Sequence, residues 1–330
     1  MEFLATRRHA LRILGGLPLM LGLGAGATGA AAQGAYPGKP VLIINNFPPG
    51  GPSDLLARSI APALHETLRQ PFIVENRAGA AGNIGAEAVA RSLPDGHTLL
   101  VGIDTTFTVN PYIYRSMSFK AADVVPVVIM ASSGLLVGVH PSTGIKTLEG
   151  MIIAGKTREI ALSSAGNGSP GHLAAQVLAD ATGMRINPIF YRGNTPAVTA
   201  VVAGEVDGGI LATPGMLPHV KAGKVTALAV TSRHRSDLLP DVPSVGELGL
   251  PGLELEVLYL VMAPAATPPA VVQVLQKSIL DALKRPEVQT RMSSLDLRFE
   301  GLTGAAAHER MAALSARYTR VVQATGMKVE

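Results

Sequence analysis

The chain has no cysteine and no tryptophan among its 330 residues, and only 4% of it is aromatic and 16% charged. Without cysteine there are no disulfides and no thiolate chemistry, so stability must come from the size of the core. Scarce aromatics argue against a site that stacks sugars or bases. A formal charge of +4 is too weak to argue for nucleic acid, although a mild positive balance suits the capture of small anions. No G-x-x-x-x-G-K-S/T run occurs, which argues against a P-loop. His65-Glu66 has no second histidine four residues on, so the H-E-x-x-H metal pattern is missing. No cofactor and no metal are expected.

What is present is apolar: 47% hydrophobic residues, enough to bury a sizeable core, with 36 glycines and 24 prolines to turn the chain. Residues 1–32 read as a cleaved export signal. Arg7, Arg8 and Arg12 form a basic start, Ile13 to Ala27 is uncharged, and Ala30-Ala31-Ala32 has the small-residue form of a cleavage site. Thr6-Arg7-Arg8 followed by Leu11 partly resembles a twin-arginine signal, with Ala10 where a Phe is usual, so both the Sec and the twin-arginine routes stay open. Its removal takes away three arginines and one glutamate and lowers the charge from +4 to +2.

The remainder alternates strand-like and helical runs. Val41–Asn45, Phe72–Glu75 and Thr98–Ile103 read as strands separated by helices at Ser53–Leu68 and Asn83–Ser92. After the strand Leu135–Val139 the pattern repeats. Strands fall at Glu159–Ser163, Asn187–Tyr191, Asp207–Leu211 and Thr226–Thr231, and helices at Gly171–Thr182, Thr195–Ala203 and Pro214–Ala222. Glu254–Met262 is a long strand, followed by helices near Pro269–Lys284 and Ala305–Thr325. This order predicts an α/β fold of two lobes, each a mostly parallel sheet flanked by helices, with a cleft between them. Lobe 1 would hold 33–137 and 260–330, lobe 2 would hold 138–259, and the chain would cross near 135–141 and 254–263. Ligands of open α/β sheets bind at the C-terminal ends of the strands, which two such lobes would turn toward the cleft.

The most informative stretch is Asn46-Phe47-Pro48-Pro49-Gly50-Gly51-Pro52-Ser53-Asp54, directly after an apolar strand. It reads as strand, tight turn and helix start. A helix N-terminus offers unpaired N–H groups and a positive dipole end, and adjacent glycines let a ligand come close. Ala165-Gly166-Asn167-Gly168-Ser169 is a second such turn ahead of a helix. Arg77 and Arg192 are lone cations that could each hold a carboxylate, or pair locally and point to solvent.

Seven motifs in this order resemble the tripartite tricarboxylate transporter receptors, also called the Bug (Bordetella uptake gene) family of periplasmic solute-binding proteins. They are Phe47-Pro48-Pro49-Gly50-Gly51, Glu75-Asn76-Arg77-Ala78-Gly79, Gly82-Asn83-Ile84-Gly85, Pro94-Asp95-Gly96, Ser164-Ala165-Gly166-Asn167-Gly168, Leu228-Ala229-Val230-Thr231-Ser232 and Leu239-Pro240-Asp241-Val242-Pro243. The resemblance covers the chain from Tyr36 onward. It implies a periplasmic, two-lobed, monomeric receptor that closes on a small organic acid and serves a membrane permease or a sensor protein. The ligand contacts it implies fall on Phe47, Gly50, Gly51, Pro52, Ser53, Asp54, Thr105 and Thr106 in the first lobe. In the second they fall on Ala165, Gly166, Asn167, Gly168, Ser169, Tyr191 and Leu211, with Leu258 at the second crossing. The chain departs from the family at Asn45 and Asn46, where apolar residues and a Pro are common. It departs again at Ile210, Leu211 and Ala212, where Phe, Asp and Asn are frequent, and at Leu258, where Trp is common. Tyr191-Arg192-Gly193 stands for Tyr-Lys-Gly. The missing Asp at Leu211 implies a pocket that prefers an acid without an amine.

Two other chemistries fit these residues less well. Gly79, Gly82 and Gly85 have G-x-x-G-x-x-G spacing rather than the dinucleotide G-x-G-x-x-G, which favours close helix packing. An exported hydrolase could use Ser169 with His172, but Gly168-Ser169-Pro170-Gly171 is not a nucleophile elbow, and Ser169 reads better as a helix cap.

Overall fold

The computed structural model describes residues 36–328, so the segment read as an export signal lies outside the described residues. The elements follow in the order Val41–Asn45 (β1), Pro52–Leu68 (α1), Phe72–Asn76 (β2), Asn83–Ala90 (α2), Thr98–Ile103 (β3), Thr105–Thr108 (α3), Asn110–Ile113 (α4) and Val124–Val139 (β4). The repeat comprises Leu148–Thr157 (α5), Ile160–Ser164 (β5), Pro170–Thr182 (α6), Ile186–Phe190 (β6), Asn194–Ala203 (α7), Gly208–Ala212 (β7), Thr213–Lys221 (α8) and Thr226–Val230 (β8). Glu256–Pro264 (β9), Pro269–Leu283 (α9), Pro286–Ser294 (α10), Arg298–Leu302 (β10) and Gly304–Thr325 (α11) close the chain. Among the described residues no helix is long and apolar enough to cross a membrane.

The strands run β2-β1-β3-β9-β4-β7-β5-β6 across one sheet, with β8 and β10 also paired to β4. The outer strands pair in parallel, β1 with β2 and β3, and β5 with β6 and β7, as the helical crossovers require. The sheet as a whole is mixed rather than mostly parallel. β9 runs antiparallel to β3, and β4 runs antiparallel to β9, β7 and β8. These central strands arrive from the opposite direction because each carries the chain from one half of the sheet to the other.

β4 is also longer than its pattern shows. Only Leu135–Val139 reads as strand, because Pro126 and the Ser132-Ser133-Gly134 run look like breaks. The proline is tolerated at a register irregularity between Pro126 and Val128. β4 changes partners at Gly134/Leu135: Val124–Gly134 pair with β9, and Leu135–Val139 lie between β7 and β8. Thr231, fully buried, stitches this switch. Its Oγ1 accepts from the Leu135 N–H at 2.8 Å and donates to the Leu255 carbonyl at 2.6 Å.

Asp104 ends β3 and is wholly buried. Its Oδ1 accepts from the Leu258 N–H of β9 at 2.9 Å, and its Oδ2 has no partner among the described residues. Burial pushes its carboxyl up to about 7, against the hydrogen bond from Leu258. A folded value above the ordinary one of about 4 means that the group favours folding at low pH and loses that contribution as pH rises through about 7. We expect thermal unfolding midpoints of the wild type to fall relative to those of Asp104→Asn as pH is raised across this window; parallel curves would contradict it.

Candidate functional site

A cavity of about 500 Å³, its mouth included, opens where the two halves of the sheet meet. Its wall is built from strand ends and helix starts. The β1–α1 turn contributes Phe47, Pro48, Gly51, Pro52 and Ser53, and β3 contributes Ile103. Leu135 comes from β4, and Val257 and Tyr259 from β9. Ala165, Pro170 and Gly171 lead into α6, Asn194 and Thr195 open α7, and Ile210, Leu211 and Ala212 lead into α8. Four helices therefore bring their N-terminal ends to one cavity. First-turn N–H groups have no carbonyl within their own helix, and the dipole ends are positive. Among the described residues, no charged side chain lines this cavity. Its field comes from backbone.

Close approach is enforced at two glycines. A Cβ on Gly171 would collide with the Ile210 carbonyl oxygen, so only glycine lets α6 start this near β7. Gly193 has φ +118°, and a Cβ there would meet Pro48 Cδ at 2.5 Å. The Pro48 turn thus lies against the start of α7, where Thr195 Oγ1 reaches the Pro49 carbonyl at 3.5 Å.

Of the residues singled out from sequence, Phe47, Gly51, Pro52, Ser53, Ala165 and Leu211 line this chamber. Gly166, Asn167 and Tyr191 line an adjoining, more open vestibule that shares Phe47, Pro48 and Ala165 with it. The others line neither space. Gly50 takes the left-handed turn position at φ +76° and donates its N–H to Asp54 Oδ2 at 2.9 Å. Asp54 is buried and committed: its carboxylate also accepts from Arg58 Nε at 3.0 Å and Asn76 Nδ2 at 2.8 Å. Thr105 is buried at the start of α3. Gly168, at φ +82°, packs on Ile113 and donates its N–H to His172 Nδ1 at 3.2 Å. Ser169 caps α6, taking the His172 N–H at 3.4 Å, with Ser164 Oγ 2.7 Å from its own Oγ. Leu258 faces away from the cavity while its neighbours Val257 and Tyr259 line it, because strand side chains alternate.

Thr106 belongs to a buried network that holds the Gly79–Gly82 turn, which lines the vestibule. Asn46 Nδ2 donates to the Gly82 carbonyl at 3.1 Å and to Thr106 Oγ1 at 3.3 Å. Thr106 Oγ1 and Asn110 Nδ2 both donate to the Ala81 carbonyl, at 3.2 and 3.1 Å. Ala80 and Ala81 sit at φ 48° and 49°, a left-handed conformation that costs about 1–2 kcal/mol per non-glycine residue. A Cβ on Gly85 would lie 2.6 Å from Asn46 Cβ, so this glycine serves helix packing, as its spacing implied.

Asn194 and Thr195 also line the cavity and are not among the residues expected from sequence. Tyr191-Arg192-Gly193 ahead of an apolar run is the same strand–glycine–helix signal as the other two turns and could have found them. Of the lone cations, Arg77 pairs with Glu75 at 2.6 Å and lines neither chamber. Arg192 lines the vestibule. The His172 ring nitrogens face the Gly168 N–H and Gln176, not Ser169 Oγ, and burial pushes the imidazole down to about 4, so it is neutral near pH 7.

A sheet of two halves joined by crossing strands, with helix N-termini around a cavity at the join, defines a periplasmic-binding-protein fold. The family model "Tripartite tricarboxylate transporter family receptor" matches residues 56–327. Protein BugT of Bordetella pertussis is 36% identical over 268 residues, 80% of this chain and 82% of its own. An R. palustris protein solved with adipate superposes with a TM-score of 0.85 at 29% identity, covering 89% of this chain and 99% of its own. MatC from Rhodopseudomonas palustris, solved with malate, gives 0.82 at 27% identity, covering 87% and 100%. The chain belongs to the tripartite tricarboxylate transporter receptor family, whose members are periplasmic receptors.

Two outcomes follow from this geometry. Burial would raise the Asp54 carboxyl, but hydrogen bonds from Arg58, Gly50 and Asn76 outweigh it and hold it below its ordinary value. Its contribution is then full above about pH 4 and lost as pH falls through the folded value. Asp54→Asn should cost about 1–3 kcal/mol at neutral pH and shrink the acid-induced loss, read from urea unfolding at several pH values. Gly171→Ala should destabilise by about 1–3 kcal/mol, because α6 must retreat from Ile210. An unfolding midpoint equal to wild type would contradict that packing.

Proposed function

We propose that the protein is a periplasmic receptor that captures a small organic carboxylate in this cavity and delivers it to a tripartite membrane permease. The observation that carries this reading is the convergence of four helix N-termini on a cavity without charged walls. That arrangement favours a compact anion held by N–H groups and bridging water. The adipate and malate of the two superposed proteins are carboxylates of the same kind. The two lobes, expected at 33–137 with 260–330 and at 138–259, divide at the Gly134/Leu135 partner switch, where Leu135–Val139 join β7 and β8 and Glu256–Tyr259 join the first part of β4. They close about the partner switch of β4 and the stitch at Thr231, and closure is a population shift set by contacts made only in the closed state. The protein acts as a monomer and without catalysis: Ser169 is spent on a cap, and the neutral His172 ring faces elsewhere.

The ligand lacks an ammonium group. Leu211 stands in the wall where a carboxylate partner for an amine would be, and among the described residues no Asp or Glu lines either chamber. Thermal unfolding against mono- and dicarboxylates, aromatic acids and amino acids tests both statements. A bound acid at a hundred times its dissociation constant stabilises by about 2.7 kcal/mol, a visible rise in midpoint. Succinate should outperform aspartate. If aspartate binds more tightly, the amine-free pocket is wrong; if no acid moves the midpoint, the receptor reading fails.

A further inference from the structure

The vestibule beside the inner chamber has a composition of its own. The chain holds 13 Phe and Tyr residues in all, and four of them, Phe47, Tyr114, Phe190 and Tyr191, line this one space. Phe190 is 44% exposed and is steadied by an edge-to-face contact with His172 at 4.8 Å. Arg192 is the one charged residue lining either chamber among the described residues, and no salt bridge or hydrogen bond engages its guanidinium there. Asn167 Oδ1, also in this wall, is buried without a partner among the described residues. The strained Ala80-Ala81 turn forms part of the same wall, and such strain persists where surrounding structure enforces it, typically at ligand sites. The inner chamber, by contrast, is apolar apart from a few hydroxyl and amide groups.

We propose that the vestibule is a second ligand subsite, which takes the ring and the distal acid group of an aromatic dicarboxylate whose first carboxylate occupies the inner chamber. This rests on the receptor reading above. The inner carboxylate is held by helix N-termini. The ring lies among Phe47, Tyr114 and Phe190, where offset or edge-on aromatic contacts add to the area buried. Arg192 receives the distal carboxylate with two parallel hydrogen bonds, a geometry that lysine would not supply.

Calorimetric titration of wild type, Arg192→Gln and Phe190→Ala with benzene-1,4-dicarboxylate, benzoate and adipate tests it. Both side chains are surface-exposed, and unfolding midpoints without ligand check that the variants fold. Wild type should bind the aromatic dicarboxylate most tightly. Arg192→Gln should weaken that acid about fivefold, as a solvent-exposed ion pair allows, and leave benzoate unchanged. Phe190→Ala should weaken both aromatic acids and leave adipate unchanged. If wild type binds these acids and both variants bind them equally well, the vestibule is not a subsite although the receptor reading stands. If wild type binds none of the three and no other acid in the panel above, the receptor reading fails and the subsite with it.

Discussion

The structure depends on the antiparallel pairing of Val124–Gly134 with Glu256–Pro264. Each half of the sheet is otherwise a conventional parallel unit that would end at its own edge. These two strands give the halves a shared interior, buried along nearly its whole length. Because β4 changes partners at Gly134/Leu135, one continuous backbone belongs to both halves. Thr231 bonds to both chain crossings at once. The cavity lies against this spine, with Leu135, Val257 and Tyr259 as its floor. Any change in how the halves meet is therefore a change in the binding wall.

The second constraint is electrostatic. A buried lysine or arginine would hold a carboxylate strongly but would have to be desolvated in the empty cavity. Helix N-termini avoid this problem. Their N–H groups are neutral, fixed by the fold and already oriented before a ligand arrives. Holding four such ends at one place demands close approach, which explains the glycine at 171 and the contact of Gly193 with Pro48. It also explains why the charged Asp54 lines neither chamber. It fixes the Gly50 turn and the start of α1, with Arg58 and Asn76 as partners, and leaves the cavity free of negative charge.

Much of this was legible beforehand. The Pro48–Ser53 turn and the Ala165–Ser169 turn announce themselves locally, since a glycine pair or a capping serine ahead of an apolar helix is a short-range signal. The third turn, at Gly193–Thr195, carries the same signal. Asn46 stands as an oddity in the sequence, a polar residue at the end of an apolar strand. Its reason is tertiary: it clamps the Gly79–Gly82 turn from across β1, between Gly82, Gly85 and Gly102, which have no side chains to obstruct it. Thr106 and Asn110 join that clamp from a segment sixty residues away.

Local pattern by itself determined the α/β class, the repeated strand–helix order and the turns able to receive an anion. These follow from periodicity and from the conformational freedom of glycine, which act within a few residues. Tertiary structure alone decided which way the strands between the halves run, how far β4 extends through Pro126, and which side chains of β9 face the cavity. A buried strand reads as an unbroken apolar run on both faces, so Val257, Leu258 and Tyr259 look alike until the register with β3 and β4 assigns them sides. The division of the site into an uncharged inner chamber and an aromatic vestibule holding Arg192 is likewise a matter of which distant turns meet, a long-range fact that no local spacing encodes.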